Sequence, residues 1–204
     1  MKKVLLFGFE PFSEFKENPS EILTRQLDGA EIGSSIIKGK ILPVSYSETG
    51  KIIRETIKKE RPDLAIGTGL APGRSKISVE KIAVNYKRAA IADNYGKTFE
   101  GMRINSNPQD GIFSTLDCEG IVKGLNREGI PSELSLTAGA YLCNLAMFTI
   151  IEETSELGSK GGFVHLPCHK ELISSSHKLN YPSMDLKDMK KAISYIIRKE
   201  LKTK

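Results

Sequence analysis

Two hydrophobic patterns alternate along the chain. Short unbroken apolar runs, such as Lys3 to Phe7 and Leu64 to Ile66, have the length and continuity of strands buried on both faces. Stretches with helical spacing separate them. Asn18-Pro19-Ser20-Glu21 predicts a helix start, with Asn as N-cap, Pro at the first helical position and Glu reaching back to the cap; Gly29 marks its end. Ser35 to Val44 reads as a strand. Ser45-Tyr46-Ser47-Glu48 reads as a capping box for a second helix that stops at Pro62. Leu64 to Ile66 then runs into a turn from Gly67 to Gly73. Ile77 to Tyr86, rich in β-branched residues, predicts a further strand, and residues 93 to 111 a long loop. A helix from about Leu116 to Glu128, a strand around Leu134 to Thr137, an apolar helix from about Cys143 to Glu153, a strand from Gly162 to Leu166 and a C-terminal helix complete the series.

Such alternation predicts an α/β fold: a mainly parallel sheet with helices on both faces, in a single domain over residues 1–204. Ligands of such sheets bind at the carboxyl ends of strands. That rule points to the residues just after Phe7, Ile66, Thr137 and His165.

Composition narrows the classes. A chain of 204 residues buries roughly 70% of its extended surface on folding, so its core needs no staples. Cys118, Cys143 and Cys168 are odd in number and widely spaced, a poor disulfide framework; they predict a reducing compartment with at least one free thiol. The apolar run at the N-terminus is stopped by Glu10-Pro11, too short for a signal core or a membrane span, so a cytoplasmic protein without a membrane partner is expected. The formal charge of +5 resides in residues 187–204, where seven Lys or Arg stand against Asp188 and Glu200. Leu186, Met189, Ile193, Ile196, Ile197 and Leu201 recur there at helical spacing. This predicts an amphipathic helix with a solvated basic face, and no nucleic-acid partner.

Candidate chemistry centres on Cys143, in Thr137-Ala138-Gly139-Ala140-Tyr141-Leu142-Cys143-Asn144. A strand ends, small residues turn the chain, and the cysteine begins an apolar helix whose free N–H groups and partial positive charge favour a thiolate and can receive an oxyanion. A buried, inert cysteine fits the same context. A thiolate nucleophile needs a base, and the chain holds three histidines. His165 ends a strand at the ligand edge, whereas His169 and His177 fall in a Ser- and Lys-rich segment expected to be a solvated loop. The His165-x-x-Cys168-His169 cluster packs its ligand types too tightly for a tetrahedral shell, so no metal is expected. Glu80, in the middle of a predicted strand, is either the carboxylate that orients the base or an edge-strand glutamate facing water beside Lys81. Gly67-Thr68-Gly69-x-x-x-Gly73 lacks the helix that a dinucleotide loop requires.

Four runs in order, spanning residues 8 to 167, together resemble the pyroglutamyl peptidase I (pyrrolidone-carboxylate peptidase) family. They are Gly8-Phe9-Glu10-Pro11-Phe12 with Asn18-Pro19; Gly69-Leu70-Ala71-Pro72-Gly73-Arg74 with Glu80, Ala83 and Asn85; the run into Cys143-Asn144; and Gly162-Phe163-Val164-His165-Leu166-Pro167. The resemblance implies a three-layer α/β/α sandwich, frequent tetramers, no cofactor, and a thiol peptidase acting on peptides with an N-terminal pyroglutamate. It implies a triad on Glu80, Cys143 and His165, and a lactam-ring pocket on Phe9, Phe12, Ile91, Tyr141 and Leu142. An apolar aromatic slot suits a flat, uncharged ring, and an ordinary charged N-terminus would have to be desolvated there. One departure stands out. The family's usual Ala-Arg-Ile-Pro-Asp-Asn segment reads Ala89-Ala90-Ile91-Ala92-Asp93-Asn94 here, which leaves any role of that arginine to another group, Arg88 or Arg74.

Overall fold

The computed structural model describes the chain apart from residues 90, 107, 176–179 and 203–204, which include two positions singled out above, Ala90 and His177. Its elements are, in order, β1 (Lys2–Phe9), α1 (Pro19–Leu27), β2 (Glu31–Ile32), β3 (Ser35–Leu42), α2 (Thr49–Glu60), β4 (Leu64–Leu70), β5 (Ile77–Glu80), β6 (Ile82–Val84), β7 (Lys87–Ala89), β8 (Phe99–Met102), β9 (Gly111–Phe113), α3 (Cys118–Arg127), β10 (Ser132–Ser135), α4 (Leu142–Glu156), β11 (Lys160–Leu166), β12 (Cys168–His169), α5 (Lys170–Ser174), β13 (Ser183–Met184) and α6 (Leu186–Leu201).

Seven strands form the central sheet in the order β10-β5-β11-β4-β1-β3-β2. Most neighbours are parallel, but β5 runs antiparallel to β11 and β2 antiparallel to β3. Successive strand residues serve opposite faces. Val4 and Leu6 pack with α1, α3 and α6, while Leu5, Phe7 and Phe163 pack with α2 and α4. The result is the α/β/α sandwich in a single domain. Among the described residues no helix is long and apolar enough to cross a membrane.

Local chemistry explains most element ends. The Asn18 side chain accepts the Ser20 N–H at 3.0 Å and Pro19 takes the first helical position, as expected. Glu21, by contrast, pairs with Arg25 at 2.8 Å. The expected capping box at Ser45 does not form. Helix α2 starts at Thr49, and the Ser45 hydroxyl meets Ser47 Oγ. The Tyr46 N–H is taken by Asp93 Oδ2 at 3.0 Å, which holds this segment to the loop after β7.

Four further expectations are corrected. Gly67 to Leu70 continues strand β4 instead of turning, because β11 pairs with it through Leu70. The predicted strand from Ile77 to Tyr86 breaks at Lys81 into β5 and β6, and the loop at 93–111 contains β8 and runs into β9, which pair with β7 and β6 in two small ribbons. The strand expected around Leu134 to Thr137 lies at Ser132–Ser135. Helix α6 buries Met189, Ile193, Ile196, Ile197 and Leu201, with Lys187, Lys191, Arg198 and Lys202 exposed.

Candidate active site

Cys143, His165 and Glu80 meet at the carboxyl edge of the sheet. Phe163 and His165 share the face of β11 covered by α4, and β5 presents Glu80 beside them because Phe163 and Glu80 are register partners. The His165 Nδ1 lies 2.7 Å from Glu80 Oε1. Glu80 is fully buried. It sits on an inner strand rather than an exposed edge, which removes the solvent-facing alternative. Cys143 and His165 line the same cavity, and the sulfur is close enough to raise the ring's affinity for its proton.

These contacts set the imidazole's affinity for its proton. Burial alone would drive the proton off. The Cys143 sulfur and Glu80 together outweigh it, and the His165 pKa rises to about 9. With the ring protonated, its Nδ1–H donates to Glu80. The other two cysteines differ. Cys118 and Cys168 are fully buried, burial raises both thiols, and Cys168 reaches about 11. Among the three, only Cys143 faces a cavity.

The turn before α4 places the sulfur. Tyr141 is the extended N-cap residue, and its backbone O accepts from the N–H groups of Asn144 and Leu145. The amides of Leu142 and Cys143 precede any intrahelical acceptor and remain available at the helix start. Gly69 makes room for the sulfur: a Cβ there would lie 2.9 Å from Cys143 Sγ. Below the turn, Asn144 is fully buried. It accepts from the Val84 N–H at 2.9 Å and donates to the carbonyls of Val84 and Tyr86, fastening α4 to the segment from β6 towards β7.

Beside Cys143 and His165 opens a cavity of about 170 Å³. Phe9, Phe12, Tyr141 and Leu142, four of the five residues expected around a ring, line it together with Val44, Leu70, Ala138 and Asn18. The fifth expected residue, Ile91, is two-thirds exposed and not among the lining residues. Its neighbours are nevertheless tied to the site. Tyr141 Oη donates to the Ala92 carbonyl at 3.2 Å, and Asn94 Nδ2 donates to Glu10 Oε1 and to the Pro11 carbonyl. Burial pushes the Tyr141 phenol up to about 12, so it is a neutral donor.

Two basic or titratable side chains have different places from those expected. Arg74, one of the groups considered for the family's missing arginine, lies on Glu80 Oε1 at 2.7 Å and donates to the Thr137 carbonyl at 3.2 Å. Arg88, the other, has an exposed side chain. His169 is buried instead of solvated, with Nε2 2.9 Å from Glu17 Oε2. It anchors the segment that leads from Phe12 to Asn18. The sequence holds no local signal for the His169 pair, because His169 and Glu17 lie 152 residues apart. Among the described residues no cluster of His, Cys, Asp and Glu could hold a metal ion.

A thiol, a buried imidazole and a buried carboxylate, aligned at the carboxyl edge of a three-layer sheet beside an apolar cavity, are the make-up of a cysteine peptidase. Similarity identifies which one. Residues 2–202 match the pyroglutamyl peptidase family, and the chain belongs to it. The chain is 47% identical over 190 residues to a pyrrolidone-carboxylate peptidase of Saccharolobus islandicus, covering 93% of this chain and 90% of that protein. It is 42% identical over 173 residues to the Pyrococcus furiosus pyrrolidone-carboxylate peptidase, covering 84% and 83%. The solved pyrrolidone carboxyl peptidase of Thermococcus litoralis superposes with a TM-score of 0.94 at 36% identity, over 99% of this chain and 94% of that one.

Proposed function

We propose that this protein hydrolyses the amide bond that follows an N-terminal pyroglutamyl residue, with Cys143 as nucleophile, His165 as acid and base, and Glu80 as the carboxylate that orients His165. The observation that carries the reading is the His165–Glu80 pair at 2.7 Å, with His165 and Cys143 lining one apolar cavity. The Cys143 proton passes to His165, and the thiolate attacks the pyroglutamyl carbonyl carbon. The amides at the start of α4 receive the developing oxyanion. As the C–N bond breaks, His165 gives the proton to the leaving amine and a thioester remains. His165 then takes a proton from water, whose oxygen cleaves the thioester and releases pyroglutamate.

Phe9, Phe12, Tyr141 and Leu142 supply the apolar slot for the lactam ring. The backbone of Leu70, which borders the cavity, is the partner we assign to the ring's N–H and C=O. Proline lacks the ring carbonyl and leaves its donor unpaired, so prolyl amides are rejected. Ile91 completes the pocket only if its loop folds inward over bound substrate. Free thiols at all three cysteines support a reducing, cytoplasmic setting. The family resemblance supports a homotetramer built from one catalytic domain over residues 1–204.

The test is release of a chromogenic amine from its L-pyroglutamyl amide. Wild type releases it, leaves the prolyl amide untouched, and Cys143→Ala lowers kcat by about 10³-fold or more. Near-normal turnover by Cys143→Ala overturns the assignment of the nucleophile.

A further inference from the structure

Glu80 does not serve His165 alone. Arg74 Nη1 and His165 Nδ1 both contact the same carboxylate oxygen, Oε1, each at 2.7 Å. The second oxygen, Oε2, is buried and has no hydrogen-bond partner. A fixed cation and a titrating ring therefore compete for one acceptor, and their nitrogens lie within 5.4 Å of each other. Arg74 also reaches the Thr137 carbonyl through Nη2, at the entrance of the turn that carries Tyr141, Leu142 and Cys143. One guanidinium thus joins the carboxylate behind the base to the chain that places the nucleophile.

We infer that Arg74 is a positioning residue that fixes Glu80 against His165 and, by its charge, limits how tightly His165 holds its proton. The inference rests on the proposed roles of Glu80, His165 and Cys143. Without Arg74, Oε1 belongs wholly to the imidazolium, the cationic repulsion disappears, and the His165 proton is lost at higher pH. The groups facing the ring are Cys143 from α4 and Glu80 from β5, with Arg74 behind Glu80 and Glu133 of β10 reached through Ser78. Glu133 is the same in every variant below, so the charge at position 74 is the only one that changes. Arg74 is about one-quarter exposed, so its replacement leaves the core intact.

The test compares wild type, Arg74→Gln and Arg74→Lys, with folding checked by circular dichroism. Alkylation of Cys143 by iodoacetamide is followed against pH by mass spectrometry of the Cys143 peptide; it needs no substrate, and Cys118 and Cys168 are too buried to compete. The alkaline step that reports loss of the His165 proton should move up by roughly one pH unit in Arg74→Gln and stay near the wild-type position in Arg74→Lys. The kcat for pyroglutamyl amide should fall about 10-fold in Arg74→Gln, with partial recovery in Arg74→Lys. An unmoved step in folded Arg74→Gln overturns the inference. So does an equal displacement in both variants, since the lysine retains the charge. A wild type that alkylates normally but cleaves no pyroglutamyl amide sinks the proposed function instead, and the alkylation step still decides the role of Arg74.

Discussion

Adding one methyl group at Gly69 places steric pressure directly on the sulfur of Cys143, the nucleophile proposed above. In Gly69→Ala the new carbon would sit 2.9 Å from Cys143 Sγ and 3.1 Å from Phe163 Cζ. Relaxed contacts of this kind lie at about 3.5–4.0 Å, so a displacement of roughly 0.7 Å is required. Phe163 is fully buried against α4 and against Gly67, where a Cβ would lie only 2.4 Å from its ring. The sulfur, at the cavity, is the softer of the two neighbours and moves. Gly69 has no positive φ, so alanine fits the backbone itself. Misplacing a reacting atom by close to 1 Å costs on the order of 10²-fold, and kcat should fall about 10- to 100-fold. Overpacking by a methyl destabilises by about 1–3 kcal/mol, offset by roughly 0.4–1 kcal/mol from the stiffer unfolded chain. The assay is amine release from pyroglutamyl amide at saturating substrate, beside urea unfolding at the same pH. A Gly69→Ala enzyme with wild-type kcat and wild-type midpoint would refute the tight fit around the sulfur.

Other expectations follow from the same contacts. His165 is protonated below about pH 9 and loses its proton above it, so kcat/KM should fall as pH rises through that value. Glu80→Gln removes a charge and weakens a hydrogen bond that both hold the proton, which moves this alkaline limb to lower pH; a limb that stays in place would exclude His165 as its source. Asn144→Ala leaves the Val84 N–H and the Val84 and Tyr86 carbonyls without their side-chain partner. Denaturant titration should show a loss of about 2–4 kcal/mol, and a loss below about 0.5 kcal/mol would mean that this segment is held by other contacts.

Local chemistry made much of this protein legible. Unbroken apolar runs marked β1, β4 and β11, the Asn18-Pro19 pair marked the start of α1, and small residues before an apolar helix marked Cys143 as a thiol at a helix start. Alternation of the elements was enough for a layered sheet, and the four family-like runs were enough for the cavity residues Phe9, Phe12, Tyr141 and Leu142. Strand order was not legible. Only the insertion of β5, antiparallel to β11, between β10 and β11 decides that Glu80 is interior and faces His165 across 85 residues of chain. The same is true of His169 on Glu17 and of Ile91 standing outside the cavity. Periodicity and capping depend on neighbours a few positions away, whereas these contacts depend on which distant strands pair. That choice is made by burial and hydrogen bonding summed over the whole sheet.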